Sequence, residues 1–321
     1  GADRASSSSG LPYNTGGADA ASGSGGATTH GPYPIVLAHG FFGFNDFAGS
    51  DFITYFYRVQ DTLAAEGTVV YTPAVDPFNT SDVRGAELLA AIQQILADTG
   101  AAKVNIIGHS QGGLDARVVA NLRPDLVASI VTISTPHEGT PVADVVLQLI
   151  SDPNFQDVVD EIVDVVGAPL WDQLGNQSSV FLPLELFSQP GIAAFNAAHP
   201  DEPGVFYASI AGRSGDHDDD DPDCQPDALM SFIAQYHTDT DPVDPLLSVS
   251  ELICANGFDD ITNDGLVPAS SARHGQFWGC VPADHLDEIG QLLGDDPGGD
   301  NPFDYMQLYR DVIGEIRNRG Y

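Results

Sequence analysis

The chain alternates short apolar runs with stretches whose apolar residues recur every three or four positions. Pro34–His39 is a buried-strand run (Pro-Ile-Val-Leu-Ala-His), and Thr68–Tyr71 is a second, closed by Pro73. Leu88, Leu89, Ile92, Ile95 and Leu96 then repeat at helical spacing, with Ser81 as an N-cap and Gly100 as the stop. Val104–Ile107 reads as a strand, Leu114–Leu122 as a helix halted at Pro124, Val127–Ser134 as a strand and Val205–Ala211 as another. A last helix is expected over Pro302–Arg317. Strands that alternate with helices predict βαβ units and a mostly parallel sheet, an α/β fold.

Two stretches depart from this rhythm. Residues 1–30 are rich in Gly, Ser, Ala and Thr, with few large apolar side chains, and are expected to form a flexible tether. Residues 31–321 then make one large α/β domain. Ala143–Val166 carries Val145, Val146, Leu149 and Ile150, then Phe155, Val158, Val159, Ile162, Val163 and Val166, interleaved with acids. Two amphipathic helices broken at Pro153 fit this pattern. They follow a strand end, so a lid over about residues 143–168 is the expectation.

Charge narrows the partners. With 46 acidic against 11 basic residues the formal net charge is −35, and Lys103 is the lone lysine. Such a surface repels nucleic acid and anionic lipid. It serves solubility, or adaptation to salty surroundings where screening relieves self-repulsion. No apolar run reaches transmembrane length. The chain opens Gly-Ala-Asp-Arg, which fits a mature, secreted form whose targeting segment has been removed. Cys224, Cys254 and Cys280 allow one disulfide and one thiol, and no C-x-x-C spacing suggests zinc or redox chemistry.

The chemistry starts at Val104–Gly113. Gly108-His109-Ser110-Gln111-Gly112 matches G-x-S-x-G, between a strand and a helix. A side chain at either flanking glycine would collide with neighbouring backbone. The helix after Ser110 aims unpaired N–H groups at the reacting centre. A serine hydroxyl needs a general base in contact and an acid that orients the base. The chain order Ser, acid, His offers Ser110, Asp264 in an Asn-Asp-Gly turn, and His285. His274 is a rival base, and Asp259 or Asp260 a rival acid. His217 stands in the wrong order, while His39 and His109 flank glycines and read as loop braces.

Several segments together resemble the secreted bacterial triacylglycerol lipases of the pseudomonad type. They are Leu37-Ala38-His39-Gly40-Phe41 with Gly43-Phe44, the serine turn, and Thr135-Pro136-His137-Glu138-Gly139. Asn263-Asp264-Gly265-Leu266-Val267 and His285-Leu286-Asp287-Glu288 with Gln291 complete the set. The resemblance implies an α/β-hydrolase fold, a mostly parallel sheet flanked by helices with a helical lid. It implies Ser110 as nucleophile, Asp264 as acid and His285 as base, and an oxyanion hole from the backbone N–H groups of Phe41 and Gln111. It implies a structural calcium ion (Ca2+) held by Asp241 of Asp241-Pro-Val-Asp244-Pro245, by Asp287 and Gln291, and by the Asp295 carbonyl. If a helical turn starts at Asp287, its oxygen and that of Gln291 share one face. The substrate implied is an acylglycerol at an oil–water interface, acted on by a monomer. Some lipases of this type need a dedicated folding chaperone. A short-chain carboxylesterase, a polyester depolymerase and a non-catalytic module on the same scaffold are the alternatives. This chain departs from the family at Gln111, where His is common, and at Ser270, where the family has a cysteine.

Overall fold

The strands form where the chain is apolar on both sides of the backbone. Ile35–Ala38 (β1), Val70–Tyr71 (β2), Val104–His109 (β3), Val127–Ile133 (β4), Phe206–Gly212 (β5) and Gln276–Val281 (β6) lie in one sheet of order β2-β1-β3-β4-β5-β6. Every neighbouring pair is parallel. Successive side chains of a strand point to opposite faces, and here both faces are covered. Ile35, Leu37, Ile107, Ile133 and Ile210 pack with Val59 and Leu63 of α1 (Val59–Ala65) and with Val312 and Ile316 near the C-terminus. Val36, Val104, Ile106 and Ile130 pack on the other side, against Leu88, Ile92 and Ile95 of α2 (Ser81–Thr99) and Ala116 and Val119 of α3 (Gln111–Leu122). Two-sided burial is why these strands appear as unbroken apolar runs rather than as alternation.

This computed structural model describes residues 32–41, 55–151, 178–215, 220–256, 261–291, 294, 297–298 and 300–321. The expected tether over 1–30, Gly43-Phe44, the lid beyond Ser151, the acidic residues 216–219, and Asp259, Asp260 and Asp295 lie outside the described residues. The first part of the lid expectation is helical, as α4 (Pro141–Ser151). Two helices that the apolar spacing did not announce follow, α5 (Ser178–Phe187) and α6 (Gln189–Ala198). A further short helix, α7, spans Ser248–Cys254, and the terminal helix α8 spans Tyr305–Asn318.

Caps set two helix starts differently from the expectation. Thr80, not Ser81, is the N-cap of α2, and its carbonyl accepts from the Val83 and Arg84 N–H groups. Asp304 caps α8 through its carboxylate, which accepts from the Met306 and Gln307 N–H groups, so this helix begins three residues after Pro302. Cys224 and Cys280 form a disulfide and Cys254 is a buried thiol. Among the described residues no helix is long and apolar enough to cross a membrane.

The loops at the carboxyl ends of β1, β3, β4, β5 and β6 rise on one edge of the sheet. That edge is where ligands bind in open α/β folds.

Candidate active site

Ser110 stands between β3 and α3 at φ 54°, ψ −132°, in the left-handed region that non-glycine residues seldom occupy. Such a residue costs about 1–3 kcal/mol, which the surrounding structure must supply. The neighbouring glycines make the turn sterically feasible. A Cβ on Gly108 would stand 2.6 Å from the Gly113 backbone, and one on Gly112 would overlap the Ala38 carbonyl. The serine is 9% exposed, at the floor of the edge formed by the strand ends.

The loop after β1 faces this turn. His39 is buried, and burial together with the Arg84 charge pushes its imidazole down to about 4, so the ring is neutral. Its Nε2 accepts from the Val75 N–H at 3.1 Å. Phe41 packs edge-on against Phe78 and Phe187, at centroid distances of 6.0 and 6.2 Å. Phe41 thereby joins an apolar cluster of Leu114 and Val118 of α3, Ala143 of α4, Phe187 of α5, and Ile192 and Phe195 of α6. Gln111 is buried, and its amide N–H donates to the Asn79 carbonyl at 2.9 Å.

Asp264 and His285 come together from the loops that follow β5 and β6. The two oxygens of Asp264 divide their work. Oδ1 accepts from the Leu266 and Val267 N–H groups at 2.9 and 2.7 Å, and Oδ2 lies 2.7 Å from His285 Nδ1. The His285 N–H also donates to the Asp264 carbonyl at 2.9 Å, so backbone and side chain fix the pair together. The His285 ring stands 4.5 Å, centroid to centroid, from that of His109, the residue before Ser110. His274, the rival base, is elsewhere: it bonds Asp201 at 2.8 Å and stacks on His137 at 4.3 Å.

A second acid, found in the sequence only as part of a matching string, lies beneath. Glu288 is fully buried and accepts from Ser134 Oγ at 2.5 Å, with its other oxygen 2.8 Å from His109 Nε2. His109 Nδ1 meets the Tyr55 hydroxyl at 2.7 Å. Burial and the Asp264 charge push Glu288 well above the carboxylate range, and burial and His285 push His109 well below the imidazole range. Both shifts favour the uncharged forms of the two groups. Their contact holds the residue before the serine to the loop that carries the histidine.

Next to that loop, Asp241, Asp284 and Asp287 are buried with their oxygens within 4.8 Å of one another. Asp241 Oδ2 accepts from the Asp284 N–H at 2.6 Å, whereas Asp241 Oδ1 is buried with no hydrogen-bond partner among the described residues. Asp284 Oδ2 accepts from the Asp244 N–H, and Oδ1 from Leu286 and Asp287. Burial and the neighbouring Asp284 push Asp241 up to about 7. Burial pushes Asp284 up to about 6. Three convergent carboxylates with an unsatisfied oxygen fit a hard divalent cation. Asp284 carries no signal in the sequence, since it meets Asp241 only in the fold. The helical-face argument for Asp287 and Gln291 does not hold: a 3-10 turn covers Asp287–Ile289 and ends at Gly290, φ 70°. Gln291 is buried and donates its amide N–H to the Tyr55 carbonyl at 3.0 Å.

Comparison with known proteins places this geometry in context. The family described as the alpha/beta hydrolase fold matches residues 33–198. A triacylglycerol lipase of Vibrio cholerae is 34% identical over 280 residues, covering 82% of this chain and 81% of that protein. One of Pseudarthrobacter phenanthrenivorans is 32% identical over 328 residues, covering 90% and 97%. Among solved structures, a metagenomic carboxyl esterase superposes with a TM-score of 0.61 at 18% identity, over 92% of this chain and 78% of that one, a likeness of fold.

Proposed function

The chain belongs to the α/β-hydrolases, among their triacylglycerol lipases, and from that membership we propose a secreted enzyme that cleaves acylglycerol esters through an acyl-enzyme on Ser110. The Ser110 hydroxyl attacks the ester carbonyl while His285 takes its proton. Asp264 holds the imidazole in the tautomer that accepts it and stabilises the imidazolium. The charge on the former carbonyl oxygen is met by the Phe41 and Gln111 N–H groups, each donor contributing about 3 kcal/mol of transition-state stabilisation. His285 returns the proton to the leaving alcohol, and water then releases the fatty acid by the same route in reverse. Phe41, partly buried against the apolar cluster that holds Phe187 and Ile192, offers the acyl chain a surface of its own polarity.

A calcium ion would be held by Asp241, Asp284 and Asp287, with Gln291 and the Asp295 carbonyl as further ligands by family analogy. When bound, it supplies positive charge that ties the segment before the acid to the loop bearing the base; it takes no part in bond making.

One observation carries the reading: the Asp264–His285 contact in a chain whose serine turn holds Ser110 at positive φ. The test is covalent labelling with a fluorophosphonate, together with hydrolysis of tributyrin. Labelling at Ser110 and turnover, both lost in Ser110→Ala, are expected. Turnover that survives Ser110→Ala would reject the assignment.

A further inference from the structure

A peptide unit is planar and trans, so its C=O and its N–H point in opposite directions. Whatever grips the carbonyl from one side therefore aims the N–H to the other. Both proposed oxyanion donors sit on peptide units whose carbonyls are gripped in this way. The Phe41 N–H shares its unit with the Gly40 carbonyl, which accepts from Arg84 Nη2 at 3.2 Å and also lies 3.0 Å from His39 Nδ1; the same guanidinium nitrogen donates to the His39 carbonyl at 2.5 Å. The Gln111 N–H shares its unit with the Ser110 carbonyl, which accepts from Thr135 Oγ1 at 2.7 Å and from the Gly113 N–H at 3.1 Å.

We infer that Arg84 and Thr135 are positioning residues for the oxyanion hole, each aiming one donor by holding the carbonyl on the far side of its peptide. The inference rests on the proposed roles of Phe41 and Gln111.

Both grips are built into the core. Arg84 is fully buried on the first turn of α2, and the rest of its fork is fixed, Nε on Asp115 Oδ2 at 2.8 Å and Nη1 on the Asp76 carbonyl at 3.1 Å. A planar guanidinium held at both ends offers a carbonyl one position, which a flexible ammonium would not. Thr135 is fully buried at the start of the segment after β4. Its hydroxyl reaches the Ser110 carbonyl because Gly113 has no side chain; a Cβ there would overlap Thr135 Oγ1. This accounts for the second glycine of Gly112-Gly113, which the serine-turn motif does not require, and for the threonine of Thr135-Pro136-His137-Glu138-Gly139. A carbonyl that accepts from a cation or a hydroxyl also polarises its peptide and makes the N–H on the other side a stronger donor.

The test compares Thr135→Val, which keeps the shape and removes the hydroxyl, with Thr135→Ser, which restores it. Arg84→Lys keeps the charge beside Asp115 but loses the fork. Readouts are kcat and KM on a soluble nitrophenyl ester, and melting temperature. Inhibition by a trifluoromethyl ketone, whose serine adduct carries the oxyanion, is compared with inhibition by the matching secondary alcohol, which forms none. Deleting a donor costs about 100- to 1,000-fold in kcat; misaiming one that is still present should cost about tenfold. The expectation for Thr135→Val and Arg84→Lys is that fall in kcat at constant KM, with ketone affinity weakened in parallel and alcohol affinity unchanged. Thr135→Ser should stay near wild type. Unchanged kcat and ketone affinity in Thr135→Val would overturn the inference, as would equal losses for ketone and alcohol, the mark of a structural defect. A wild-type enzyme that the ketone does not inhibit would instead remove the Ser110 reading beneath it.

Discussion

The proposed nucleophile and its proposed acid–base partners are held in place by different physics. Ser110 lies within one strand, one turn and one helix, and its position follows from collisions: Gly108 against Gly113, Gly112 against the Ala38 carbonyl. Asp264 and His285 ride on loops that leave β5 and β6. Their supports are the Cys224–Cys280 disulfide at the end of β6 and the cluster of Asp241, Asp284 and Asp287 beside His285. Steric exclusion needs nothing from the solution. A cluster of like charges in a low-dielectric site needs a counter-charge, and this chain has few cations to supply one. The contrast we propose is therefore between a half fixed by sterics and a half whose stability responds to its surroundings.

The largest effects should fall on both halves alike, because the chemistry joins them. Ser110→Ala and Asp264→Asn should each lower kcat by about 10⁴-fold or more, the second by leaving His285 in the wrong tautomer. Neither should shift the melting temperature by more than a few degrees. An Asp264→Asn enzyme of near-normal kcat would mean that another carboxylate orients the base.

Folding, in contrast, should separate the halves. Gly112→Val forces a side chain into the Ala38 carbonyl and should cost about 3 kcal/mol or more, read by urea titration. Asp241→Asn removes one charge from a crowded site. Measured in chelator, it should melt at or above the wild type. A Gly112→Val protein of wild-type stability would show that the turn yields to a shift of β1, and the contrast would fail.

The same asymmetry explains what could be seen in advance. The serine turn was legible because its requirement is local: two glycines at fixed offsets after an apolar run. The parallel sheet was legible from β1, β3, β4 and β5, whose both-sided burial leaves apolar strings. β6 was not, since Gln276, Gly279 and Cys280 interrupt its pattern, although Phe277 and Trp278 are fully buried. Spacing alone left His274 open as the base; in the fold it bonds Asp201 and stacks on His137, whereas His285 meets Asp264. Glu288 and Asp284 gave no signal of their own. Their role depends on burial beside His109 and Asp241, which no spacing records.

Calcium removal should act on the loop half at intermediate size. A site filled at about 100 times its dissociation constant adds about 2.7 kcal/mol, which for a domain of this length is about 4–5 °C of melting temperature. Chelator at fixed ionic strength should lower the melting point by that amount and speed amide exchange over residues 261–291, with 104–122 unchanged. Fixed ionic strength matters because any salt relieves the self-repulsion of a chain with net charge −35. Equal melting with and without calcium would remove the ion from this account and leave the carboxylates to the disulfide and the backbone alone.

The smallest effect asks whether the serine half is wholly indifferent to solution. His39, at the end of β1, accepts the Val75 N–H on Nε2 while Nδ1 lies 3.0 Å from the Gly40 carbonyl. Those partners suit one neutral tautomer, and a second proton would break the first contact. Burial and Arg84 push the imidazole down to about 4, against an ordinary value of 6.5. Between these values the unfolded chain binds the proton and the folded chain does not. Stability from this group is thus complete above pH 6.5 and is lost as pH falls toward 4, by about 3 kcal/mol at most. Asp115, pushed up to about 6 by burial, works in the opposite direction over the same range, because the folded state keeps a proton that the unfolded state releases. The total pH profile therefore hides both. The informative quantity is the difference between the wild type and His39→Gln, which removes one titration and leaves the other. Across pH 6.5 to 4 the wild type should lose stability faster than the variant. Parallel profiles would mean that the His39 ring accepts its proton without cost, and that the β1 loop is looser than its buried contacts with Val75 and Arg84 require.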